Sequence, residues 1–409
     1  MSLTDAQRQH LFFTWSAQSR ARSFEIVAAE GARFEVAGHG WVWDLESKVY
    51  NVNVGHGHAH VRARMHAQVD GIAACAPNAV LPIRAELGRL LAEHSGMAKA
   101  FLTTGGSEAV ENAIKIARLV TGRSKVIARA NSYHGATLAV LEIAGDSRKD
   151  PYRATMGAPL HIDDPYPARE PTVERASDWL ESARALVERE GGDTIAAILL
   201  EGLTGTNGMQ HPPSDFWPGI RALCDEHGIV LIDDEIFAGF GRTGRWFAHE
   251  HWGVRPDLMT VGKGLTSGYA PLAGVLVDEA IASRFDHEVL WCGLTHYAHP
   301  VSCAAAVGSI EVLERDELPE NAAKVGEVFA RRFDAMIDKH PHVVGQRGLG
   351  LMRALELDRD GAAVVAAAWE RGAFLPSRGP MLWICPPLCL SEAEADTICD
   401  LLDEALAVI

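Results

Sequence analysis

One layout recurs in this chain and constrains its fold more than anything else: a short apolar run that closes on a charged residue. Thr194 to Leu200 closes on Glu201, and Gly228 to Asp233 closes on Asp234 and Glu235. Asp257 to Gly262 closes on Lys263, with Gly264 directly after it. Between the first two runs lies a helix-like stretch, Ser214 to His227, with Asp215 near its start and Gly228 just past its end. Short apolar runs alternating with helices predict an α/β fold around a mostly parallel sheet. Ligands in such sheets bind just outside the carboxyl ends of the strands. Glu201, Asp234 and Lys263 should all arrive at that edge.

An acid facing a cationic ring nitrogen, and a lysine able to form an imine, are what pyridoxal phosphate chemistry requires. Asp234 would keep a pyridine nitrogen protonated, because an opposite charge favours the charged form. Helix capping or a surface site is the plainer reading of an acid there. Three adjacent acids, Asp233, Asp234 and Glu235, weaken it, since buried carboxylates need partners. Lys263 would be a nucleophile once burial lowers its pKa. An ordinary surface lysine is the alternative, and the strand-end position with glycines at 262, 264 and 268 argues against it.

Two further segments suit the same ligand. Phe101 to Ala109 reads as a strand, a Gly105-Gly106-Ser107 turn and a helix start. The first amides of a helix lack internal partners and favour an anion, and Ser107 adds a hydroxyl. A plain tight turn with Ser107 as cap fits equally well. Tyr133, in Asn131-Ser132-Tyr133-His134-Gly135, could lay its ring over a planar cofactor or be half-buried at the sheet edge. Gly55-His56-Gly57-His58-Ala59-His60 would align its histidines on one face if it were a strand, but no acidic or cysteine partner is evident nearby. A glycine-rich loop near a cofactor is the expectation there, and no metal site.

With 409 residues, the chain has room for two or three domains. A net charge of −16 without a long basic run makes nucleic acid and anionic membranes poor partners. No apolar stretch reaches the length of a membrane span. Met1 to His10 lacks the layout of a secretion signal, so a cytoplasmic protein is expected. The seven cysteines are scattered without a Cys-x-x-Cys and read as reduced thiols. Helices are expected over Pro82–Ser95, Ala322–Lys339, Ala362–Gly372 and Ser391–Ala407, with strands over 101–104, 125–130, 195–200, 229–233 and 258–261. The pattern changes near residue 310. This divides the chain into an N-terminal segment (1–60) packing with the small domain, a large cofactor-binding domain (61–310) and a C-terminal small α+β domain (311–409).

In combination these segments resemble the class III aminotransferases, pyridoxal phosphate enzymes of fold type I. Gly106-Ser107-Glu108-Ala109 matches the family's phosphate loop and Tyr133-His134-Gly135 its ring-stacking motif. Asp234 to Gly244, Gly262-Lys263-Gly264 and Pro386-Pro387-Leu388 match in order and spacing. The resemblance implies that Lys263 forms the Schiff base and Asp234 pairs with the ring nitrogen. It implies that Ile236 and Tyr133 cover the two ring faces, with His134 in the same motif. Gly106, Ser107 and Thr295 would hold the phosphate, Thr295 from the neighbouring subunit of a homodimer. Glu201 would help position the ring's substituents, and Arg242 is read as structural. There are departures: Glu201-Gly202 replaces the family's usual Glu-Pro, and Phe237 follows Ile236 where Gln or Met is common. Thr295 to His299 also differs from the commoner Thr-Tyr-Ser-Gly-His.

The run Gly205-Thr206-Asn207-Gly208 with His211-Pro212-Pro213, and Ser267 to Leu272, resembles the taurine–pyruvate and ω-amino acid–pyruvate branch. The implied reaction moves an amino group from an ω-amino acid or primary amine to a keto acid, pyruvate, by ping-pong kinetics. An aminomutase or racemase on the same scaffold is the alternative. Phe13, Trp15 and Tyr133 are candidates for an aromatic pocket wall, with core packing the other reading of Phe13. Arg378, shortly before Pro386-Pro387-Leu388, is the candidate to grip a substrate carboxylate, since bidentate pairing suits arginine; a surface arginine is the alternative.

Overall fold

The computed structural model describes residues 2–164, 176–205 and 208–409. A central sheet of seven strands runs in the order β4 (Lys99–Thr103), β10 (Ala273–Val277), β9 (Leu258–Val261), β8 (Val230–Asp234), β7 (Ile195–Glu201), β5 (Lys125–Arg129) and β6 (Leu160–Ile162). Every residue of β7, β8, β9 and β10 is buried. These strands are covered on both faces, which is why they read as unbroken apolar runs and not as alternating ones.

The helix Gly106–Thr121 shows how that cover is made. Val110, Ala113, Ile114 and Ala117 recur at helical spacing and are buried together with Val126, Leu199 and Ile232 of the strands. The helix Phe216–His227 follows β7 and stops at Gly228, whose φ of 60° suits a residue without a Cβ.

The sheet differs from the expected alternation in one strand. β10 lies between β4 and β9 and is antiparallel to both. The 262–272 link is shorter than the dozen or so residues of a parallel crossover, so the chain can only double back.

Two four-stranded sheets complete the fold. The first joins β1 (Ile26–Glu30), β2 (Arg33–Val36) and β3 (Gly40–Asp44) to β13 (Ala373–Phe374), so N-terminal strands pair with a C-terminal one. The second contains β11 (Val343–Leu349), β12 (Met352–Leu357), β15 (Met381–Ile384) and β14 (Ser377–Arg378). The expected boundary at 310 falls inside the helix Pro300–Arg315, and an apolar helix buried along most of its length cannot be divided there. The chain leaves it at Asp316-Glu317, before the helix Leu318–Lys339.

Arg242 is fully buried and acts as a pin between chain ends. Its guanidinium donates to Asn53 Oδ1 (2.9 Å) and Ser47 Oγ (3.3 Å) from the N-terminal segment, and to the Leu351 carbonyl (3.1 Å). Burial pushes its pKa down to about 10. All seven cysteines are free thiols. Among the described residues no helix is long and apolar enough to cross a membrane.

Candidate active site

Parallel register brings the three charged strand ends together. Glu201 of β7 lies opposite Asp234 of β8, and Asp234 lies opposite Thr260 of β9. Lys263 follows two residues after β9 with φ +41°, a strained setting for a side chain that must turn into the cleft. These ends open on a cavity of about 810 Å³, bounded at its inner end by Gly106, Ser107, Tyr133, Glu201, Asp234 and Lys263.

The three consecutive acids have separate fates. Asp234 faces the cavity, where its Oδ1 accepts from Thr260 Oγ1 (2.9 Å) and the Ile236 amide (3.2 Å). Its Oδ2 lies 2.7 Å from His134 Nδ1, and the buried His134 Nε2 has no partner among the described residues. Asp233 and Glu235 point the other way and meet His249 Nδ1 at 3.3 and 3.4 Å. Burial pushes Asp233 well above the usual carboxylate range, with the Glu235 charge adding to the effect. Burial works against a charge on His249, but bonds to Asp233 and Glu235 outweigh it and hold the imidazole up at about 10.

Burial lowers the pKa of Lys263 to about 8, with Asp234 and Glu201 opposing the shift. Its Nζ lies 4.6 Å from the centre of the Phe237 ring and 5.8 Å from that of Tyr50. Glu201 accepts from the Tyr133 amide (3.1 Å) and the Gly205 amide (2.9 Å), and its burial raises its pKa.

The helix Gly106–Thr121 begins at the wall of the same cavity. Gly105 gives it no side-chain cap, and the amides of Gly106, Ser107 and Glu108 have no partner among the described residues. Ser107 Oγ accepts from the Ala136 amide at 2.9 Å, which leaves its own hydroxyl hydrogen free to donate. A Cβ at Gly135 (φ +137°) would stand 2.4 Å from that oxygen, so the turn carrying Tyr133 and His134 can approach this closely only with glycine. A Cβ at Gly106 would stand 3.0 Å from Ile236 Cδ1. Open amides, a helix dipole and a hydroxyl at one end suit a phosphate. A desolvated lysine and a buried acid suit the aldehyde and ring nitrogen of pyridoxal phosphate. The residues present fit that cofactor.

Trp15 and Arg378 line the outer part of the same cavity. Phe13 does not reach it. The chain reverses at Trp15, whose φ is +56°, and Phe13 falls into a separate hollow with Phe24, Lys48 and Phe374. Its ring there lies 4.9 Å beneath the Arg8 guanidinium. Thr295 is exposed on the loop before the helix Pro300–Arg315 and is not part of the cavity wall. The Gly-His run forms no strand. His56 pairs with Asp44 (2.8 Å), His60 with Glu311 (2.6 Å), and His58 caps the helix that begins at Ala59. Thr206 and Asn207 lie outside the described residues.

Several cavity residues had no sequence signal. Glu46 and Tyr50 flank a short turn with no motif. Asp146 and Arg148 sit in a mixed-charge stretch that reads as solvated loop, and Trp383 faces the cavity through alternation on β15. Thr260, which orients Asp234, resembles any strand threonine.

This fold and this edge define a fold-type-I pyridoxal phosphate enzyme. The family description "Aminotransferase class-III" matches residues 15–406, and the chain belongs to that family. An acetylornithine aminotransferase of Methanothermobacter thermautotrophicus is 37% identical over 327 residues, covering 79% of this chain and 78% of that protein. A taurine–pyruvate aminotransferase of Bilophila wadsworthia is 31% identical over 355 residues, covering 78% of each. The solved structure of a taurine:2-oxoglutarate aminotransferase from Bifidobacterium kashiwanohense, in complex with PLP and glutamate, superposes with a TM-score of 0.94. That match has 30% identity and covers 98% of this chain and 96% of the other. The protein is thus a pyridoxal phosphate-dependent aminotransferase, acting on an amine and a keto acid.

Proposed function

We propose that the enzyme takes the amino group of an ω-amino acid or primary amine and delivers it to pyruvate in two alternating half-reactions. One observation carries this reading: a single cavity is lined by a desolvated lysine and by two arginines, Arg148 and the half-exposed Arg378. Amine chemistry at one end and acid recognition at the other suit a donor whose two functional groups lie apart. Likeness to a taurine–pyruvate aminotransferase supports the same choice, although other relatives carry other substrate names.

The roles follow from position. Lys263 Nζ would hold the cofactor covalently and, once released, move a proton at the amine-bearing carbon of the substrate. Asp234, fixed by Thr260 and His134, would pair with the ring nitrogen. Gly106 and Ser107 would hold the phosphate, joined by the partner subunit's Thr295 in a homodimer. Ile236 and Tyr133 would enclose the ring, and Glu201 would anchor the Tyr133 turn through its amide. Trp15 would wall the donor side and Arg378 would grip the carboxylate of the keto acid. When bound, pyridoxal phosphate supplies the aldehyde that receives the amino group and a protonated ring that draws electron density from the breaking C–H bond. A cytoplasmic location is part of the same reading.

The test is the visible spectrum of the purified holoenzyme, titrated with taurine, β-alanine, 4-aminobutyrate, L-alanine and 1-phenylethylamine without keto acid. The expected result is bleaching by an ω-amino acid or the arylamine and recovery on adding pyruvate. Recovery with 2-oxoglutarate but not pyruvate would overturn the acceptor, and bleaching by L-alanine alone would overturn the donor class.

A further inference from the structure

Successive residues leaving a strand point to opposite faces, so Asp234 enters the cavity while Asp233 and Glu235 share the reverse side. There they meet His249, carried by the short 3-10 helix Ala248–His251. One ligating atom of each of the three lies within 4.8 Å of the other two. Asp233 and Glu235 are wholly buried, and the His249 side chain is 12% exposed.

Hydrogen bonds do not satisfy this cluster. Both carboxylate oxygens of Asp233, Oε2 of Glu235 and Nδ1 of His249 are buried without a hydrogen-bond partner among the described residues. His249 Nδ1 stands 3.3 Å from Asp233 Oδ2 and 3.4 Å from Glu235 Oε1. A charge-assisted N–H···O bond spans about 2.7–2.9 Å. Ligand atoms placed about 2.1 Å from a tetrahedral zinc ion lie about 3.4 Å from one another, which is the spacing found. Charge gives the same answer. One imidazolium cannot cancel two ionised carboxylates, whereas a divalent cation cancels both and leaves the imidazole neutral.

The backbone is arranged to bring the three together. Gly202, a departure already noted in the sequence, follows β7 at this point. A Cβ on it would stand 2.9 Å from Ala248 Cβ and 3.7 Å from Asp233 Oδ1. Only glycine lets the end of β7 pack this closely on the helix that carries His249. The Glu235 carboxylate also accepts from the His249 amide at 3.0 Å, which orients it toward the same point.

We propose that Asp233, Glu235 and His249 form a structural site for a divalent metal ion, zinc by its donor set, which ties β8 to the helix Ala248–His251 behind the active site. The ion displaces the proton that His249 would otherwise carry. Asp233 Oδ1 or Glu235 Oε2 completes a closed set of four ligands, as in structural zinc sites. Magnesium and calcium, which take six or more oxygen ligands, find too few here. The site lies outside the cavity wall, and the inference does not depend on the identity of the donor.

The experiment treats the holoenzyme with a chelator and then titrates it with zinc, magnesium or calcium chloride, reading metal content and thermal unfolding. About one zinc per chain should be taken up, and Tm should rise by about 3 °C at a hundred times the half-saturating concentration. Magnesium and calcium should give no shift. In His249→Gln and Asp233→Asn the half-saturating zinc concentration should rise at least about a hundredfold, since each loses a ligand. No zinc uptake by the wild type overturns the proposal and leaves the cluster to a shared proton. Equal uptake by wild type and both variants overturns it too, because the ion then sits elsewhere. If the variants do not fold, wild-type crystals grown with zinc decide. An anomalous peak about 2.1 Å from His249 Nδ1 is the expected result, and none at that position overturns the assignment.

Discussion

The inner and outer ends of the cavity are built on different principles. At the inner end the charged groups sit at or just past strand ends, and the two cavity carboxylates have backbone or buried partners: Asp234 on Thr260 and Ile236, Glu201 on Tyr133 and Gly205. At the rim, Asp146 caps the 3-10 helix Ser147–Thr155 that carries Arg148, Arg378 comes from a two-residue strand, and the three bind chiefly one another. Rigid elements hold a reacting geometry that must not vary. Charges on short elements outside the central sheet leave recognition open to change without disturbing that geometry. The contrast predicts that inner-end substitutions stop all donors alike, whereas rim substitutions sort donors by charge.

The largest effect should come from Lys263→Ala. Turnover with every donor should fall at least about a thousandfold, the upper range for loss of a proton-transferring group. Cofactor should remain measurable after denaturation because the phosphate end is intact. Appreciable turnover would break the assignment. Asp234→Asn should lower all donors by about a hundredfold, since a neutral amide no longer holds the ring nitrogen protonated. A loss confined to one donor would erase the distinction between the two ends.

The reverse side of β8 supplies a third comparison. Asp233, Glu235 and His249 cluster there, outside the cavity wall. His249→Leu leaves two buried carboxylates without their cation and should cost about 3–5 kcal/mol in denaturant unfolding. Holoenzyme KM values should be unchanged, and a shifted KM would join that cluster to the site. A pH profile sharpens the inner end. With its pKa at about 8 instead of the ordinary 10.5, Lys263 becomes a free amine as pH rises through 8. The rate at which cofactor-free enzyme develops its visible band should therefore rise with a midpoint near pH 8. A midpoint near 10 would mean that the amine is not desolvated. Trp15→Ala should have the smallest effect, about two- to tenfold on 1-phenylethylamine, the range of one aromatic contact.

The same contrast governs what could be read in the sequence. Strand ends announce themselves, because buried strands are apolar runs and a charge that closes one is conspicuous. Glu201, Asp234 and Lys263 were legible for that reason, and the Gly106-Ser107 helix start for its glycines. β10 escaped because an antiparallel return has the same apolar signature as a parallel strand. Arg148 escaped because a lone arginine between serine and lysine has no period and no neighbour to mark it; its place in the cavity wall against the Tyr133 ring comes from the fold. Phe13 misled, since aromatic character says nothing of which hollow a ring fills once the chain reverses at Trp15. Residue 310 falls inside the helix Pro300–Arg315 because that helix, buried nearly all round, carries no surface pattern to mark its extent.

The central claim is that one end of the cavity handles the amine while the other recognises a remote acid. The most direct measurement gives the wild-type holoenzyme β-alanine and β-alaninamide, which have the same amine and nearly the same shape but differ in charge at the far end. Bleaching of the visible band should half-saturate at a concentration at least about tenfold lower for β-alanine, as a charge-assisted arginine contact requires. Equal half-saturation for the two would contradict the account.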